Sequence, residues 1–229
     1  MKSVGGIERI LLKCRIMKTS KDKPFLIAVT GSPASGKSYF SNELYQGLLD
    51  SFKPLDVKLI EVNDLVDKYN IYRGIDEFGS KLVNTVALKK VIEETVEDFD
   101  GVVILVGHLL ADVKLPYDIA IVKREHLRKL ESRMIKRGYQ RGKIRENLIS
   151  EALDYCGENI ASPNSVLEIR SNKDIVQSIT FIQCKISARF KIRKDIDCSK
   201  VLDIYKHPFK FDEMDEFQDI ITSGNSYGF

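Results

Sequence analysis

The feature that most constrains this chain is a glycine-rich motif between two apolar segments. The motif reads Gly31-Ser32-Pro33-Ala34-Ser35-Gly36-Lys37-Ser38, so that a lysine and a hydroxyl residue follow its second glycine. An apolar run of strand length, 25–30, precedes the motif, and after it apolar residues recur every four positions as far as Phe52. A buried strand, a glycine-rich turn and an amphipathic helix form the context in which such a motif binds phosphate. The sequence therefore predicts a nucleotide-binding loop.

The residue types of this motif match the chemistry of a triphosphate. Gly31 and Gly36 let the backbone curl until successive N–H groups point at a phosphate, and the start of the following helix attracts the same anion. We expect Lys37 to reach the β- and γ-phosphate oxygens and Ser38 to offer its hydroxyl to Mg²⁺. The alternative is a glycine-rich turn without a ligand, and the agreement of strand, motif and helix argues against it.

Strands and helices alternate along the chain beyond this motif. We predict further strands at 57–62, 102–106, 117–122 and 166–170, and a polar loop at 72–80. Helices are expected at about 37–52, 64–69, from about 84 to 99, at 125–137 and 143–158, and from 172 to about 184. This alternation predicts an α/β fold with a parallel five-stranded sheet, helices on both faces and ligands at the carboxyl ends of the strands.

Length and composition favour one domain with additions at both ends. The chain has 229 residues, and we expect a basic N-terminal arm at 1–23, a core domain at 24–184 and a C-terminal extension at 185–229. The extension begins with a basic stretch, 185–194, and ends with an acidic one. The basic stretch is compatible with contacts to an RNA backbone and equally with exposed strands that carry lysine on an edge.

The remaining totals exclude several classes of protein. A net charge of +3 is too small for a general nucleic-acid binder, and no apolar run approaches the roughly 20 residues that span a bilayer. The N-terminal apolar patch is too short for a signal peptide, so we expect a cytoplasmic protein without a membrane partner. The four cysteines are widely spaced and form no Cys-x-x-Cys pair, which predicts reduced thiols and no zinc site.

The segment from Lys123 to Arg145 is strongly basic. It contains ten lysines and arginines and only two acidic residues. Phosphoryl transfer concentrates negative charge on the equatorial oxygens, and cationic side chains stabilise that charge. A cluster of arginines near the phosphate loop is therefore a candidate catalytic feature, whereas for any single residue a solvent-exposed helix face is an equally good explanation.

The chain as a whole resembles a known family, the archaeal and eukaryotic kinases of the adenylate kinase isoenzyme 6 type. The resemblance covers about 24–184 and depends on several short motifs in a fixed order. The motifs are Thr30-Gly31-Ser32-Pro33 with Gly36-Lys37-Ser38, Val62-Asn63-Asp64-Leu65, Tyr72-Arg73-Gly74-Ile75-Asp76-Glu77, Gly107-His108, Ile121-Val122-Lys123-Arg124, Arg133 with Arg137-Gly138-Tyr139, and Glu146-Asn147 followed by Glu151.

This resemblance implies an adenylate-kinase fold with a segment for the nucleoside monophosphate near 61–83 and a short lid near 136–146. The implied reaction is ATP plus AMP giving two ADP, with Mg²⁺ as cofactor and some breadth of acceptor. Members of the family also act as ATPases in rRNA processing and maturation of the small ribosomal subunit, which implies a small-subunit ribosomal protein and rRNA as partners.

The resemblance also implies roles for individual residues. Catalysis is assigned to Lys37, Arg133, Arg137 and His108. ATP contacts are expected from Gly31, Ala34, Gly36, Lys37, Ser38, Tyr39 and Arg137. Contacts to the nucleoside monophosphate are expected from Asp64, Arg73 and Arg124.

Two positions depart from the family pattern. The family has an acidic residue two positions before the histidine, where this chain has Val106, so the expected magnesium-side carboxylate is missing. Asp64 or Asp112 is a candidate substitute. Asp67 stands where many relatives have an arginine suited to a monophosphate. These departures leave a second hypothesis open, namely an ATP-binding ribosome assembly factor with slow ATPase activity and little or no kinase activity.

Overall fold

The computed structural model describes residues 23–53, 55–161, 166–192 and Cys198. Its main sheet has five parallel strands in the order β2-β5-β1-β6-β7, and a separate antiparallel hairpin pairs β3 with β4. The strands are β1 Phe25–Thr30, β2 Asp56–Glu61, β3 Tyr72–Ile75, β4 Lys81–Val83, β5 Gly101–Val106, β6 Ile119–Lys123 and β7 Val166–Ile169. The predicted parallel five-stranded α/β fold is confirmed.

Helices cover both faces of this sheet. They are α1 Lys37–Ser51, α2 Val62–Lys68, α3 Thr85–Val96, α4 Leu127–Lys136, α5 Arg141–Ala152, α6 Tyr155–Asn159 and α7 Asn172–Phe190, with a short 3-10 helix at His108–Ala111. None of the helices in the described part of the chain is long and apolar enough to cross a membrane.

Alternation along the central strand divides the core into two layers. In β1, Leu26 and Ala28 pack with α3, whereas Ile27 and Val29 pack with α1 and α7. Successive strand residues point to opposite faces of a sheet, so a strand covered on both sides must be apolar at every position. The continuous apolar runs in the sequence thus encode a central sheet. β1 consequently ends deep in the protein, where the glycine-rich loop begins.

The segment predicted as a loop at 72–80 is part of the β3–β4 hairpin: the prediction is wrong for 72–75, which form β3, and correct for 76–80, which form the turn. Tyr72 pairs with Val83, while the Asp76 carboxylate accepts hydrogen bonds from the backbone N–H groups of Phe78 and Ser80 at 2.9 and 2.7 Å. Both strands are largely exposed or half-buried, so the sequence carries no apolar alternation to mark them.

Two predicted helices have different bounds in the structure. The helix predicted at 143–158 is two helices, because Asp154 adopts a left-handed conformation (φ 51°) and its carboxylate accepts a hydrogen bond from the N–H of Gly157 at 3.2 Å. The helix predicted to end near Cys184 continues to Phe190, because Ile186 remains fully buried on the same face. The start of the basic stretch therefore lies on α7.

The expectation of reduced thiols is wrong for one pair of cysteines. Cys184 on α7 forms a disulfide with Cys198, and their Cα atoms lie 5.8 Å apart. The chain returns to α7 after the helix ends, a proximity that sequence spacing alone does not reveal. Cys156 is a buried free thiol. Residues 1–22 of the predicted basic arm and the acidic end of the C-terminal extension lie outside the described residues.

Candidate functional site

The glycine-rich loop joins β1 to α1 in a conformation that only glycine adopts easily at its two ends. Gly31 has φ 138° and Gly36 has φ 97°. A Cβ atom on Gly31 would lie 2.4 Å from the carbonyl oxygen of Lys123 at the end of β6. The loop backbone therefore approaches the neighbouring strand more closely than any side chain permits, which explains the first glycine of the motif.

Lys37, the first residue of α1, folds back over this loop. Its Nζ atom donates hydrogen bonds to the carbonyl oxygens of Gly31 and Ser32 at 2.9 and 2.8 Å. Burial lowers the pKa of its ammonium group to about 8, against the opposing effect of nearby acidic groups, and Arg137 lowers it further. The electrostatic effect of Arg137 on Lys37 means that two of the predicted catalytic cations lie near each other.

A buried hydroxyl inside the loop tests whether the cradle suits a phosphate. Ser35 is 1% exposed, and its Oγ atom has no hydrogen-bond partner within the described residues. Buried hydroxyl groups are normally paired, and an unpaired one calls for a ligand or a water. A phosphate oxygen is a suitable acceptor for this hydroxyl, so the loop fits the triphosphate that its motif predicts.

A buried network of ion pairs connects the loop to α5. Glu151 of α5 accepts a hydrogen bond from the Ser32 hydroxyl at 2.6 Å and one from Nε of Arg124 at 3.0 Å. Arg124 also pairs with Asp154 and donates to the carbonyl oxygen of Glu151 at 3.0 Å. Both Arg124 and Glu151 are almost completely buried. The network connects the loop to α5 and fixes the position of Ser32.

The predicted contact between Arg124 and an acceptor nucleotide is not supported by this geometry. The guanidinium group is 1% exposed, and its donors are directed to Glu151 and Asp154. A buried arginine whose charge is neutralised by two carboxylates has no free surface for a phosphate. Arg124 is instead placed to position the loop.

Arg133, by contrast, remains accessible beside the loop. Its side chain is 43% exposed, and it donates to the carbonyl oxygen of Ala34 at 3.0 Å and to Glu125 at 2.9 Å. Ala34 adopts a left-handed conformation (φ 67°), and its carbonyl accepts this bond from Arg133. Arg137 follows at the exposed end of α4. Two of the predicted catalytic arginines thus lie on the helix that borders the loop.

Comparison with known proteins agrees with this arrangement. The model of the AAA_18 family, described as an AAA domain, matches residues 27–154, more than half of the chain. The chain belongs to the AAA_18 family. The match covers β1 from Ile27 onward, the glycine-rich loop, α4 and the network residues Arg124 and Glu151. It ends at Asp154, before β7 and α7.

Archaeal relatives of this AAA_18 member carry the name "Putative adenylate kinase". The protein of that name from Methanocaldococcus jannaschii is 34% identical over 151 residues, which cover 65% of this chain and 78% of the relative. The one from Pyrococcus abyssi is 29% identical over 184 residues, covering 78% and 93% of the two chains. These relatives support membership of a nucleotide kinase family.

Solved structures show more distant similarity. Kti12 from Chaetomium thermophilum in complex with ADP-AlF3 is 15% identical, has a TM-score of 0.47, and the match covers 70% of this chain and 98% of Kti12. Thymidylate kinase from Ehrlichia chaffeensis is 14% identical with a TM-score of 0.43, and the match covers 71% and 99% of the two chains. These similarities are too low to inform the chemistry of the site.

The exposed hydroxyl of Ser38 and the residues near it form the opening of the site. Ser38 and Tyr39 are exposed on the first turn of α1, and Tyr39 is 62% exposed. His108 follows β5 and is also solvent-exposed, yet partial desolvation by the surrounding residues lowers the pKa of its imidazole, and Lys37 acts in the same direction. Its ring is therefore neutral at pH 7 and offers one donor and one acceptor.

Residues of the predicted acceptor segment lie on exposed surface. Asp64 and Arg73 are exposed, on the first turn of α2 and on β3. Asp67 forms an ion pair with Lys81 of β4, so the unusual aspartate is neutralised by a cation from the hairpin. Arg73 therefore adds positive charge to an exposed surface. The negative charge of Asp67 on this surface is already balanced by Lys81.

The hairpin and the predicted lid contact each other. Nζ of Lys143 lies 3.5 Å from the Asp76 carboxylate and 5.9 Å from the centre of the Phe78 ring. A Cβ atom on Gly142 would lie 2.5 Å from that ring, so the hairpin tip packs directly on the start of α5. Lys143 also lowers the pKa of His108. The hairpin tip and the predicted lid therefore pack on each other, and Lys143 lies near both the hairpin and His108.

Sequence reasoning missed three polar residues of this site. Glu151 and Ser32 were recognised only as parts of motifs, and their contact joins positions 119 residues apart. Glu61, at the end of β2, was not considered. The signal that identifies Glu61 is its place as the last residue of a strand that pairs with β5.

Proposed function

We propose that this protein is a phosphotransferase of the adenylate kinase type, which transfers the γ-phosphoryl group of ATP to AMP or a related nucleoside monophosphate. The observation that carries the proposal is the convergence of cations on one loop. Lys37 lies on the glycine-rich loop, Arg133 donates to its Ala34 carbonyl, and Arg137 acts electrostatically on Lys37. Such a cluster stabilises the charge that builds up during phosphoryl transfer.

In the proposed reaction an oxygen of the acceptor α-phosphate forms a bond to the γ-phosphorus of ATP. The bond between that phosphorus and the β–γ bridging oxygen breaks, and both products are ADP. Lys37, Arg133 and Arg137 stabilise the equatorial oxygens, while Gly31, Ala34 and Gly36 shape the loop whose N–H groups hold the β-phosphate. His108 orients a phosphate oxygen from the end of β5. The neutral imidazole suits this role because it donates a hydrogen bond without attracting a second anion.

In this chemistry bound Mg²⁺ would neutralise negative charge on the β- and γ-phosphate oxygens. The Ser38 hydroxyl is exposed on the first turn of α1 and is the residue of the loop that we expect to hold the ion. No cluster of three or more His, Cys, Asp or Glu side chains suited to a metal occurs in the described residues. Mg²⁺ usually keeps several waters and takes few protein ligands, so one hydroxyl with one or two carboxylates would be enough beside the nucleotide phosphates.

One observation favours a second function. Val106 ends β5 fully buried in an apolar layer, where the family resemblance calls for a carboxylate. A site without that carboxylate suits an ATP-binding ribosome assembly factor with slow hydrolysis, whose partners are a small-subunit ribosomal protein and rRNA. In this alternative, bound ATP changes the affinity for the partner, and turnover only resets the protein.

An assay of ADP formation with and without AMP separates the two functions. The kinase predicts that AMP raises the rate of ADP formation, with two ADP formed for each AMP consumed. The assembly factor predicts slow hydrolysis to ADP and phosphate that AMP leaves unchanged. Lys37→Met serves as the control in both arms, because it removes the loop cation and keeps an unbranched side chain, and circular dichroism checks that the variant is folded. An AMP-independent rate in the wild-type protein contradicts the kinase.

A further inference from the structure

Pairing between β2 and β5 places a carboxylate beside position 106, where the family pattern has an acidic residue and this chain has valine. The two strands are parallel neighbours, and their register aligns Glu61 with Val106. Paired residues of adjacent strands lie on the same face of a sheet, and the strands are about 4.8 Å apart. A carboxylate on the last residue of β2 therefore begins one strand away from the position where the family pattern has its acidic residue.

The face on which Glu61 lies is the face of the glycine-rich loop. Val57 and Leu59 of β2 pack against the same apolar layer as Ile104 and Val106 of β5, and Phe40 of α1 belongs to this layer. Side chains two positions apart on a strand share a face, so Glu61 follows Leu59 toward α1. α1 begins with Lys37 and Ser38. The end of β2 is thus directed to the start of the helix that carries the metal-side hydroxyl.

Contacts at this end of the sheet agree with the direction given by the register. Burial raises the pKa of the Glu61 carboxylate and so does Asp64, whereas Ser38 and Lys37 lower it, so the side chains of these three residues lie close to Glu61. Glu61 is half-buried, so part of its side chain remains accessible at the end of β2. The two motif residues that we expect to contact ATP and Mg²⁺ are therefore both close to Glu61.

The other acidic candidates are placed less favourably. The Asp112 carboxylate accepts a hydrogen bond from the Tyr155 hydroxyl and lies at the end of the 3-10 helix. Asp64 lies on the exposed side of α2, one turn beyond Glu61. The strand register places neither of them beside Val106. A carboxylate that acts on Mg²⁺, directly or through water, needs to lie near the metal-side hydroxyl and the phosphates.

We propose that Glu61 supplies the magnesium-side carboxylate of this site, from the strand next to the one that carries Val106. The inference rests on the proposed function, since it assumes that the loop binds a metal-bound nucleotide. Glu61 and Ser38 then flank the metal ion from neighbouring elements, and Val106 fills the apolar layer beneath them. The absence of an acid at position 106 is thus compensated within the same sheet.

The test measures metal-dependent nucleotide binding rather than turnover. Binding of the non-hydrolysable analogue β,γ-imido-ATP to the full chain is measured by calorimetry, once with Mn²⁺ and once with EDTA. Electron paramagnetic resonance follows the bound Mn²⁺ directly. The variants are Glu61→Gln, the rivals Asp64→Asn and Asp112→Asn, and Asp56→Asn as a matched control at the opposite, exposed end of β2.

We expect Glu61→Gln to weaken binding of the Mn²⁺ complex about 10- to 100-fold, the range typical when a supporting group of a metal site is lost. Binding without metal should stay the same or become tighter, because a negative charge near the phosphates is removed. Asp56→Asn, Asp64→Asn and Asp112→Asn should each change the affinity less than about twofold. The double variant Glu61→Gln, Val106→Asp moves the carboxylate to the neighbouring strand and should restore Mn²⁺ binding.

Three results would overturn the inference. In the first, Glu61→Gln binds the Mn²⁺ complex like the wild type, so the carboxylate does not act on the metal. In the second, Glu61→Gln loses the metal-bound and the metal-free analogue equally, so Glu61 only maintains the loop. In the third, the wild-type protein binds neither form, and then the proposed function fails as well. Metal-dependent binding that is indifferent to Glu61 leaves the proposed function standing.

Discussion

The glycine-rich loop and the β3–β4 hairpin both belong to the proposed site, yet the loop is buried and connected from several sides whereas the hairpin is exposed. Ser32 is held by Glu151, and the loop backbone packs against the end of β6. Arg73 on the hairpin is exposed, and the tip of the hairpin touches the lid through Phe78 and Lys143. A buried, connected loop favours a preformed phosphate site, and an exposed hairpin favours an acceptor site that adjusts to its ligand.

The largest effect expected on the loop side comes from its supporting network. Arg124→Met leaves the Glu151 carboxylate buried with less compensation, so we expect a loss of about 3–5 kcal/mol in the free energy of unfolding. Denaturant unfolding measures this loss. Arg128→Met, at an exposed cation on α4, should cost less than about 0.5 kcal/mol. A loss below about 1 kcal/mol for Arg124→Met would show that the network does not support the loop.

The next effect concerns catalysis on the same loop. Lys37→Met removes the cation nearest the β- and γ-phosphates, and we expect the rate of ADP formation to fall roughly 100- to 1,000-fold, as when one charge-stabilising donor is removed. Steady-state kinetics at saturating ATP measures the change. Lys90→Met, on the exposed face of α3, should leave the rate unchanged. A decrease of less than about fivefold would contradict the role assigned to Lys37.

A pair of glycine variants compares the two regions directly. Gly31 and Gly79 both have a left-handed φ, but a Cβ atom would meet the Lys123 carbonyl at 2.4 Å in the first case and nothing within 4 Å in the second. We expect Gly31→Ala to weaken ATP binding more than tenfold, because the loop must move. Gly79→Ala should cost only the conformational strain of about 1–2 kcal/mol in stability. Calorimetry with ATP separates them, and equal ATP affinities would refute the steric argument.

The smallest effect is expected on the hairpin. Arg73→Ala should raise the KM for AMP about tenfold and leave the affinity for ATP unchanged, since Arg73 is an exposed cation distant from the loop network. Kinetics with varied AMP measures the first quantity and calorimetry the second. Lys90→Ala is the matched exposed control. An equal decrease in ATP affinity would mean that the two regions do not act separately.

The same contrast explains how much of the molecule the sequence predicts. The strands covered on both faces are continuous apolar runs, so β1, β5 and β6 were predicted to within about two residues. The exposed hairpin carries no such pattern and was predicted as a loop. Gly31, Lys37 and Ser38 could be predicted as residues of a phosphate loop, because they lie close together in the sequence.

Contacts between distant parts of the chain were not predictable. The bond from Ser32 to Glu151 and the disulfide from Cys184 to Cys198 depend on how separate elements pack. Arg124 was expected in the acceptor site because of the family resemblance, but it is buried and paired with two carboxylates instead. Glu61 was overlooked because its meaning depends on the register of β2 with β5.

The most direct test of the account is the affinity for diadenosine pentaphosphate. This ligand links two adenosines through five phosphates and so mimics ATP and AMP bound together. Calorimetry in the presence of Mg²⁺ compares it with ATP alone. If the loop and the hairpin form one phosphoryl-transfer site, the joined ligand binds at least about 100-fold more tightly than ATP. If it binds no more tightly than ATP, the protein holds a nucleotide triphosphate but has no acceptor site, and the kinase proposal is contradicted.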